Sequence, residues 1–348
     1  MNNKLPSIVI TGASGFVGRF LLENVREEFK VYAIARRSRK ESNIPYHKNI
    51  HWIQCDIANK DTLNDVKNYI NENGGADYLV HLAAFYDFTY MDNNEYKRTN
   101  IEGTLNVLKF AKELNVKRFI FASSLAACNF PADGEKISET TNPEAEFAYA
   151  KSKRIGEQYV KEYSKYFPCS VVRFAAIYSD WCEYAPLYKF LSIWLSKKID
   201  SRLLAGKGES AVPYIHVQDV ISLIRIIIKN SNNLTQFSMY NGSPDGSVSH
   251  KELFLISTAY FFGKKINPVF IPKSLTYPGL FLKMLLKYSH LVCDEPLEKF
   301  WMIKYIDKKL DVDSSFTRKE LAWEPAPRYH ITRRLLFLLE KIKSHPDE

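Results

Sequence analysis

Two side chains that could move a proton together lie four residues apart in this sequence. Tyr149 and Lys153 occupy positions i and i+4, so on a helix they share one face. A free tyrosine has a pKa of about 10, and a neighbouring ammonium favours the phenolate and lowers that pKa. Such a pair can exchange a proton with an alcohol or a carbonyl group. The same spacing occurs on ordinary solvated helix faces, so its surroundings decide its meaning.

A hydroxyl pair and a glycine-rich turn supply those surroundings. Ser123 and Ser124 end a predicted strand that begins at 118, and open α/β sheets bind ligands beyond the carboxyl ends of their strands. Near residue 12, three glycines join a predicted strand, Ser7–Thr11, to a predicted helix at 15–25, which lets a pyrophosphate approach the helix N-terminus. The turn predicts a dinucleotide, the alternative being a packing turn without a ligand. The predicted contacts in it are Gly12, Ser14, Gly15, Phe16, Val17 and Gly18.

The residues after the second predicted strand indicate which nicotinamide cofactor binds. A carboxylate there would accept from the ribose 2′-hydroxyl, whereas an arginine would bind a 2′-phosphate. This chain has Arg36 and Arg37 at that place, and a guanidinium matches phosphate geometry. NADP(H) is therefore predicted over NAD(H), and the alternative is a solvated basic turn.

Residues after the third and fourth predicted strands complete the predicted cofactor site. Asp56 could accept a hydrogen bond from the adenine amino group or cap the turn that follows it. Ala83 and Ala84 are small enough to let the cofactor lie close. The predicted contacts at these strand ends are Asp56, Ile57, Leu82, Ala83 and Ala84.

The elements that must position these residues alternate between strand and helix. Strand-like runs occur at Ser7–Thr11, 31–35, Ile50–Gln54, 78–83 and 118–122, and helical periodicity at 15–25, 62–71 and 95–114. This alternation is typical of βαβ units, so the prediction is an α/β fold with a Rossmann-type doubly wound parallel sheet.

The second half of the sequence predicts a smaller lobe. Residues 1–176 are predicted as the dinucleotide-binding domain and 177–348 as a mostly helical, substrate-binding C-terminal lobe, with segments around 212–245 returning to the first domain. Helical segments in the lobe are predicted at 187–195, 250–262 and 280–292.

Composition narrows the classes of partner. The chain has 348 residues, 46% of them hydrophobic, and a net charge of +9. The sequence contains no nucleic-acid-binding motif that would account for this charge, so no nucleic-acid partner is predicted. The basic amphipathic segments 280–292 and 331–342 leave weak membrane-surface contact open, although packing on the protein's own core is the favoured interpretation. Five widely spaced cysteines, without a Cys-x-x-Cys pair, predict free thiols, no metal site and a cytoplasmic location.

With these motifs together, the sequence resembles the extended short-chain dehydrogenase/reductases, the NAD-dependent epimerase/dehydratase superfamily. The resemblance runs from about residue 8 to 325. It depends on the three glycines, Asp56, residues 81–84, 100–104, Ser123-Ser124, Tyr149 with Lys153, and residues 214–220.

The resemblance implies a role for each candidate catalytic residue. Tyr149 would be the general acid/base, and Lys153 would lower its pKa and bind the nicotinamide ribose. Ser124 would hydrogen-bond the reacting oxygen, while Asn100 would steady the active-site helix or a proton-relay water. His216 would be structural. A homodimer through helices 95–114 and 149–166 is an expectation of the resemblance alone.

Departures from the family pattern narrow the substrate. Sugar-nucleotide 4,6-dehydratases carry Thr-Asp-Glu where this chain has Ser124-Leu125-Ala126, and Leu and Ala supply no proton. Nucleotide-sugar epimerases have a pattern like Arg-x-Phe-Asn where residues 173–176 of this chain have Ala176 in place of the Asn. They also often carry an Arg at the position of residues 211–213, which contain no cation in this chain. These differences bring the chain nearer to the steroid dehydrogenase and dihydroflavonol reductase branch.

The predicted function is therefore hydride transfer that interconverts an alcohol and a ketone or aldehyde on a largely apolar small molecule. The predicted substrate pocket consists of Phe85, Tyr86, Ser124 and Trp181. Two alternatives stay open: a nucleotide-sugar epimerase and a non-catalytic regulator that senses NADP.

Overall fold

A seven-stranded parallel sheet forms the centre of the protein. We describe a computed structural model, which covers residues 5–88, 91–288 and 299–344. The strand order is β11-β6-β5-β4-β1-β2-β3, and every neighbouring pair is parallel. The strands are β1 (Ser7–Thr11), β2 (Lys30–Ala35), β3 (Ile50–Gln54), β4 (Tyr78–His81), β5 (Arg118–Ser124), β6 (Cys169–Phe174) and β11 (Phe237–Gly242). This arrangement confirms the predicted Rossmann-type α/β fold.

Helices cover both faces of this sheet. Alternate residues of β1 enter different hydrophobic clusters, with Ile8 and Ile10 on one face and Val9 on the other. Strands buried on both faces read as continuous apolar runs, which explains the absence of alternation in the sequence. The helices of this domain are α1 (Phe16–Val25), α2 (Lys60–Glu72), α3 (Thr104–Glu113), α4 (Ala148–Tyr163) and α6 (Val217–Lys229).

One helix differs from its prediction in a way that matters for the site. The periodic segment at 95–114 consists of a π-helical stretch, Tyr96–Gly103, followed by α3. π-Helical turns are rare and frequently occur at functional sites. Asn100 lies in this stretch, and Gly103 ends it directly against the Ile57 side chain, where an added Cβ would lie 2.9 Å from Ile57 Cδ1.

A separate cluster of buried apolar residues holds the C-terminal region together. Leu187, Leu253 and Leu335 belong to this cluster and come from three different helices. Those helices are α5 (Ala185–Trp194), α7 (His250–Phe262) and α10 (Ile331–Ser344). The packing of α10 accounts for the amphipathic pattern at 331–342 through burial in the protein's own core.

Short strands and two further helices complete the described chain. The short strands form three pairs: β7 (Ala176–Tyr178) with β10 (Tyr214–His216), β9 (Ala211–Val212) with β12 (Val248–Ser249), and β8 (Leu203–Ala205) with β13 (Val269–Ile271). The helices are α8 (Lys273–Tyr288) and α9 (Ser315–Leu321). The amphipathic segment at 280–292 overlaps α8, and its residues 289–292 lie outside the described residues. No helix within the described ranges is long and apolar enough to cross a membrane.

Candidate active site

The glycine-rich turn has the shape that a pyrophosphate requires. Gly12 adopts a φ of +73°, and a Cβ at this position would lie 2.6 Å from the Ala83 nitrogen, so only glycine fits. The Gly15 nitrogen donates to the Gly12 carbonyl at 2.9 Å, which closes the turn at the start of α1. Among the described residues no side chain caps α1 at Gly15. The first-turn N–H groups are therefore available to an anion, and the turn fits the phosphates of a dinucleotide.

The neighbouring predicted contacts line this turn in different ways. Ser14 offers its carbonyl rather than its hydroxyl, since that oxygen accepts from Arg37 at 2.9 Å. Phe16 and Val17 pack partly buried against the sheet core. The Leu82 nitrogen donates to the Thr11 carbonyl at 3.2 Å, and this bond extends β4 toward the turn.

The two arginines after β2 have different partners. Arg36 pairs with Glu95 at 3.3 Å and its side chain is 55% exposed. Arg37 reaches back to the glycine-rich turn through the Ser14 carbonyl. Trp52 and Gln54 donate to the backbone carbonyls of Arg37 and Arg36, at 3.2 and 3.0 Å. Both guanidinium groups are thus held at the edge of the predicted cofactor site.

Asp56 is engaged by the protein itself. One carboxylate oxygen accepts from the Ala58 nitrogen at 3.0 Å, and the other forms an ion pair with Arg98. Although burial alone would raise the Asp56 pKa, these two donors hold it below its usual value. Arg98 also pairs with Glu95 at 3.0 Å, so Glu95 joins Arg98 to Arg36. Sequence reasoning missed Glu95 and Arg98, because their pairing depends on the π-helical stretch and not on a motif.

Tyr149 lies partly buried among aromatic rings at the start of α4. Its ring centroid is 4.3 Å from that of Tyr86 and 6.4 Å from that of Tyr96. Desolvation raises the pKa of Tyr149 to about 12, and the nearby Ser124 side chain acts in the opposite direction. The candidate acid/base therefore lies near the candidate oxyanion partner.

Lys153 shares the face of α4 with Tyr149 and points at the end of β5. Its ammonium donates to the Ala122 carbonyl at 2.7 Å and lies 5.9 Å from the Tyr149 ring centroid. Burial lowers the pKa of Lys153 to about 8, against an opposing effect of Glu157. In the cofactor-free chain, desolvation raises the Tyr149 pKa, while the Lys153 ammonium is directed at a carbonyl. That Lys153 lowers the Tyr149 pKa in the working site stays a prediction.

The two serines at the end of β5 face different partners. Ser124 accepts from the Ala126 nitrogen at 3.2 Å, and its side chain lowers the Tyr149 pKa against the effect of burial. Ser123 instead donates to Glu157 at 2.5 Å. Glu157 also accepts two hydrogen bonds from Arg173, at 3.0 and 2.7 Å, and both side chains are almost fully buried. This pair, which sequence reasoning did not identify, joins β5, α4 and β6 behind the site.

Asn100 connects the loop at Phe85 to α4. Its amide exchanges two hydrogen bonds with the Phe85 backbone, at 2.7 and 2.9 Å, and donates a third to the Ser152 hydroxyl at 3.0 Å. With all three contacts made inside the protein, Asn100 fixes where Phe85 and Tyr149 lie relative to each other.

The predicted pocket residues are only partly brought together. Tyr86 and Phe88 meet at 4.5 Å between centroids, and Phe88 lies 5.9 Å from Tyr184, so this wall reaches into the lobe. Phe85 turns toward Tyr96, at 5.1 Å. Trp181 is different: it is 63% exposed and lies under the Lys341 ammonium at 3.4 Å. No ring contact in the described ranges joins Trp181 to Tyr149 or to the rings of Tyr86 and Tyr96 beside it.

Two of the residues at which this chain departs from the family pattern pack inside the fold. Leu125 is buried in the sheet core, and Ala176 pairs with the backbone of the β10 edge. His216 caps α6 through the Gln218 nitrogen at 3.3 Å and stacks on Tyr329 at 4.2 Å. Burial lowers the pKa of His216 to about 4, so it is neutral near pH 7.

Comparison with known proteins identifies the family. The profile of the NAD dependent epimerase/dehydratase family matches residues 8–241, well over half of the chain. The protein belongs to this family. Its members are NAD-dependent enzymes that include epimerases, dehydratases and reductases. The predicted membership is therefore confirmed, and the nicotinamide cofactor belongs to the family's chemistry.

Individual relatives represent several activities. A Synechocystis protein named "Putative dihydroflavonol 4-reductase" is 30% identical over 153 residues, 43% of this chain and 42% of that protein. The chain therefore matches less than half the length of that relative. The UDP-glucose 4-epimerase of Thermotoga maritima, crystallised with UDP-glucose, has a TM-score of 0.72 and 20% identity over 98% of this chain and 100% of that one.

A third similar protein carries a cofactor. The dTDP-glucose 4,6-dehydratase of Bacillus anthracis, in complex with NAD, has a TM-score of 0.71 and 17% identity, and the match covers 98% of both chains. At such identities the two solved structures show the fold that this chain shares with them, and its substrate has to be argued from its own residues.

Proposed function

We propose that this protein is an NADP(H)-preferring oxidoreductase that interconverts an alcohol and a carbonyl group on a largely apolar small molecule. The observation that carries the proposal is the position of Tyr149, with its ring 4.3 Å from that of Tyr86 and on the α4 face that carries Lys153, next to the end of β5 where Ser124 lies. Mostly apolar walls with a few convergent polar groups are typical of sites for apolar ligands.

The chain's own residues define the proton chemistry of this site. Gly12, Gly15 and the α1 N-terminus would hold the cofactor phosphates, and the bound nicotinamide supplies or accepts the hydride. The Tyr149 hydroxyl donates a proton to the carbonyl oxygen in reduction and takes it back in oxidation. The Ser124 hydroxyl holds that same oxygen, and the neighbouring Lys153 ammonium favours the phenolate once it forms.

Cofactor preference is proposed from Arg36 and Arg37. Arg37 donates to the neutral Ser14 carbonyl at 2.9 Å, so a 2′-phosphate would give it a charged acceptor. Arg36 already faces the Glu95 carboxylate, which competes with a phosphate for the same guanidinium. We therefore assign the 2′-phosphate mainly to Arg37, with Glu95 limiting the contribution of Arg36.

Titration of the purified chain with NADPH and NADH, followed by nicotinamide fluorescence, tests this assignment. We expect tighter NADPH binding, which Arg37→Ala weakens about tenfold while leaving NADH unchanged, because one charge-assisted hydrogen bond contributes about 1.5–3 kcal/mol. Glu95→Gln should strengthen NADPH binding, and Arg19→Ala is the matched control on α1. Tighter binding of NADH by the unmodified chain would refute the preference.

The epimerase is the second candidate, and the likeness to a UDP-glucose 4-epimerase fold favours it. Against it stand the residues at 211–213, which carry no cation, and Arg173, which is buried in its pair with Glu157 rather than offered to a diphosphate. Calorimetry with UDP-glucose on the NAD- or NADP-loaded protein separates the two. Saturable nucleotide-sugar binding favours the epimerase, whereas oxidation of NADPH by apolar ketones in a substrate screen favours the oxidoreductase.

A further inference from the structure

One helix of the C-terminal lobe turns its large apolar side chains outward. On α8, Leu280 is buried, whereas five other large apolar residues are between 47% and 57% exposed. These are Leu275, Tyr277, Phe281, Leu282 and Met284. By contrast, α10 buries Ile331, Leu335, Leu338 and Leu339. Exposed large apolar side chains in this number, on more than one side of a helix, are typical of an interaction site in a folded protein.

The strands beside α8 extend this surface. Val269 and Phe270 on β13 are 48% and 43% exposed, and Leu203, the β8 partner of Val269, is 37% exposed. Only Pro272 separates β13 from α8. We call the outward apolar residues of β8, β13 and α8 the apolar face: Leu203, Val269, Phe270, Leu275, Tyr277, Phe281, Leu282 and Met284.

The segment that contains β13 and α8 is basic. Residues 253–293 contain five lysines and no aspartate or glutamate, although Glu252 and Asp294 flank the segment directly. Lys264, Lys265 and Lys273 are exposed. Beside β8, Glu209 is paired with Lys251 at 3.9 Å and with Lys309 at 3.1 Å. A cationic apolar surface complements an anionic lipid headgroup layer over a hydrocarbon interior.

Stacked rings connect the apolar face to the candidate active site. Tyr277 stacks on Phe300 at 5.7 Å, and the adjacent Trp301 stacks on Phe147 at 5.6 Å. Phe147 is the N-cap of α4, two residues before Tyr149. These ring contacts therefore link α8 to the residue at which α4 begins.

We propose that the apolar face binds the surface of an anionic lipid bilayer as a peripheral contact. The apolar side chains lie at the boundary of the acyl chains, and the lysines lie at the level of the headgroups. A second copy of this chain is a poorer occupant, because its own five lysines would repel those of the first copy. If the proposed apolar substrate is correct, it would reach the site from the bilayer; the lipid contact itself does not depend on that function.

Flotation of the full chain with vesicles tests the proposal without an activity assay. The vesicles are phosphatidylcholine alone, or phosphatidylcholine with phosphatidylglycerol, at low and high salt. We expect binding to the anionic vesicles that weakens at high salt. The double substitution Phe281→Ser with Leu282→Ser should reduce the partition coefficient at least about tenfold, because each buried apolar side chain contributes to interfacial binding. Lys264→Gln with Lys265→Gln should reduce it by about fivefold for each lysine on anionic vesicles.

Matched controls lie on α9. Phe316 is 52% exposed, and Lys319 on the same helix is exposed. Phe316→Ser and Lys319→Gln should leave the partition coefficient unchanged, and equal melting temperatures across the set verify folding. The proposal would be overturned if the chain did not float with anionic vesicles at low salt, or if the α9 variants lost as much vesicle binding as the α8 variants. It would also be overturned if the chain bound no vesicles and sedimented as a dimer that the Phe281/Leu282 double substitution converts to a monomer.

Discussion

The two sides of the candidate site are built from different interactions. On the sheet side, Asn100, Lys153 and Glu157 are buried, and directional hydrogen bonds of 2.5–3.0 Å fix each of them. On the lobe side, Phe88 and Tyr184 meet through ring contacts near 6 Å, and Trp181 is largely exposed. Hydrogen bonds fix the positions of reacting groups, whereas apolar contacts are non-directional and tolerate changes of shape. Under the proposed function, we therefore expect the sheet side to determine the chemistry and the lobe side to determine the range of substrates.

The largest effect that this comparison predicts is at the proton donor. Tyr149→Phe keeps the ring against Tyr86 but removes the hydroxyl that we propose donates a proton to the reacting oxygen. We expect kcat to fall about 10³-fold, since a general acid/base contributes roughly 10²–10⁴, with NADPH binding unchanged. Tyr159→Phe on the same helix is the matched control. Unchanged turnover in Tyr149→Phe would place the proton transfer elsewhere.

The next effect concerns stability on the sheet side. Glu157→Gln removes the charge that compensates Arg173 in the buried core. Breaking a buried pair from one side costs about 3–5 kcal/mol, so urea denaturation should show a loss of about 3 kcal/mol in the free energy of unfolding. Glu162→Gln is an exposed change on the same helix and should alter it by less than about 0.5 kcal/mol. Equal effects of the two substitutions would mean that this pair does not support the site.

Lys153 predicts a pH dependence of the cofactor-free protein. Its pKa is about 8 in the folded chain, below its ordinary value of 10.5. Between these two values the unfolded chain binds more protons, so the protein becomes more stable as pH increases from 8 toward 10.5. In denaturation curves at a series of pH values, the unfolding free energy of the wild type relative to Lys153→Met should rise by about 2.5 kcal/mol across this window. A difference that is flat with pH would contradict the assignment of this pKa.

The sequence could predict those parts of the molecule that local pattern specifies. The glycine turn, the parallel sheet and the i, i+4 pair on α4 each follow from spacing, because Gly12 needs a positive φ and buried strands need apolar runs. The partners of Glu157 and Arg98 could not be predicted, since they join elements that are distant in sequence. The raised Tyr149 pKa of the cofactor-free chain could not be predicted either, because desolvation of the phenol depends on the folded loop at Tyr86 and not on the motif.

The smallest effect tests the lobe side at Trp181, which the sequence predicts in the pocket. In the structure its exposed ring lies under Lys341, and a cation–π contact at an exposed position contributes about 0.5–1 kcal/mol. Trp181→Ala should therefore lower the free energy of unfolding by less than about 1 kcal/mol. With the ketone found in the screen, we also expect its KM to stay within about twofold of the wild type, because the contact does not reach the pocket.

Tyr86 provides the comparison, since its ring lies 4.3 Å from that of Tyr149. Tyr86→Ala should raise KM about tenfold, in line with the 0.5–1.5 kcal/mol of an aromatic pair. If Trp181→Ala instead raised KM as much as Tyr86→Ala, the ring of Trp181 would have to reach the substrate in the bound state. The lobe would then close over the site on binding, and its loose ring contacts would be the means by which it does so.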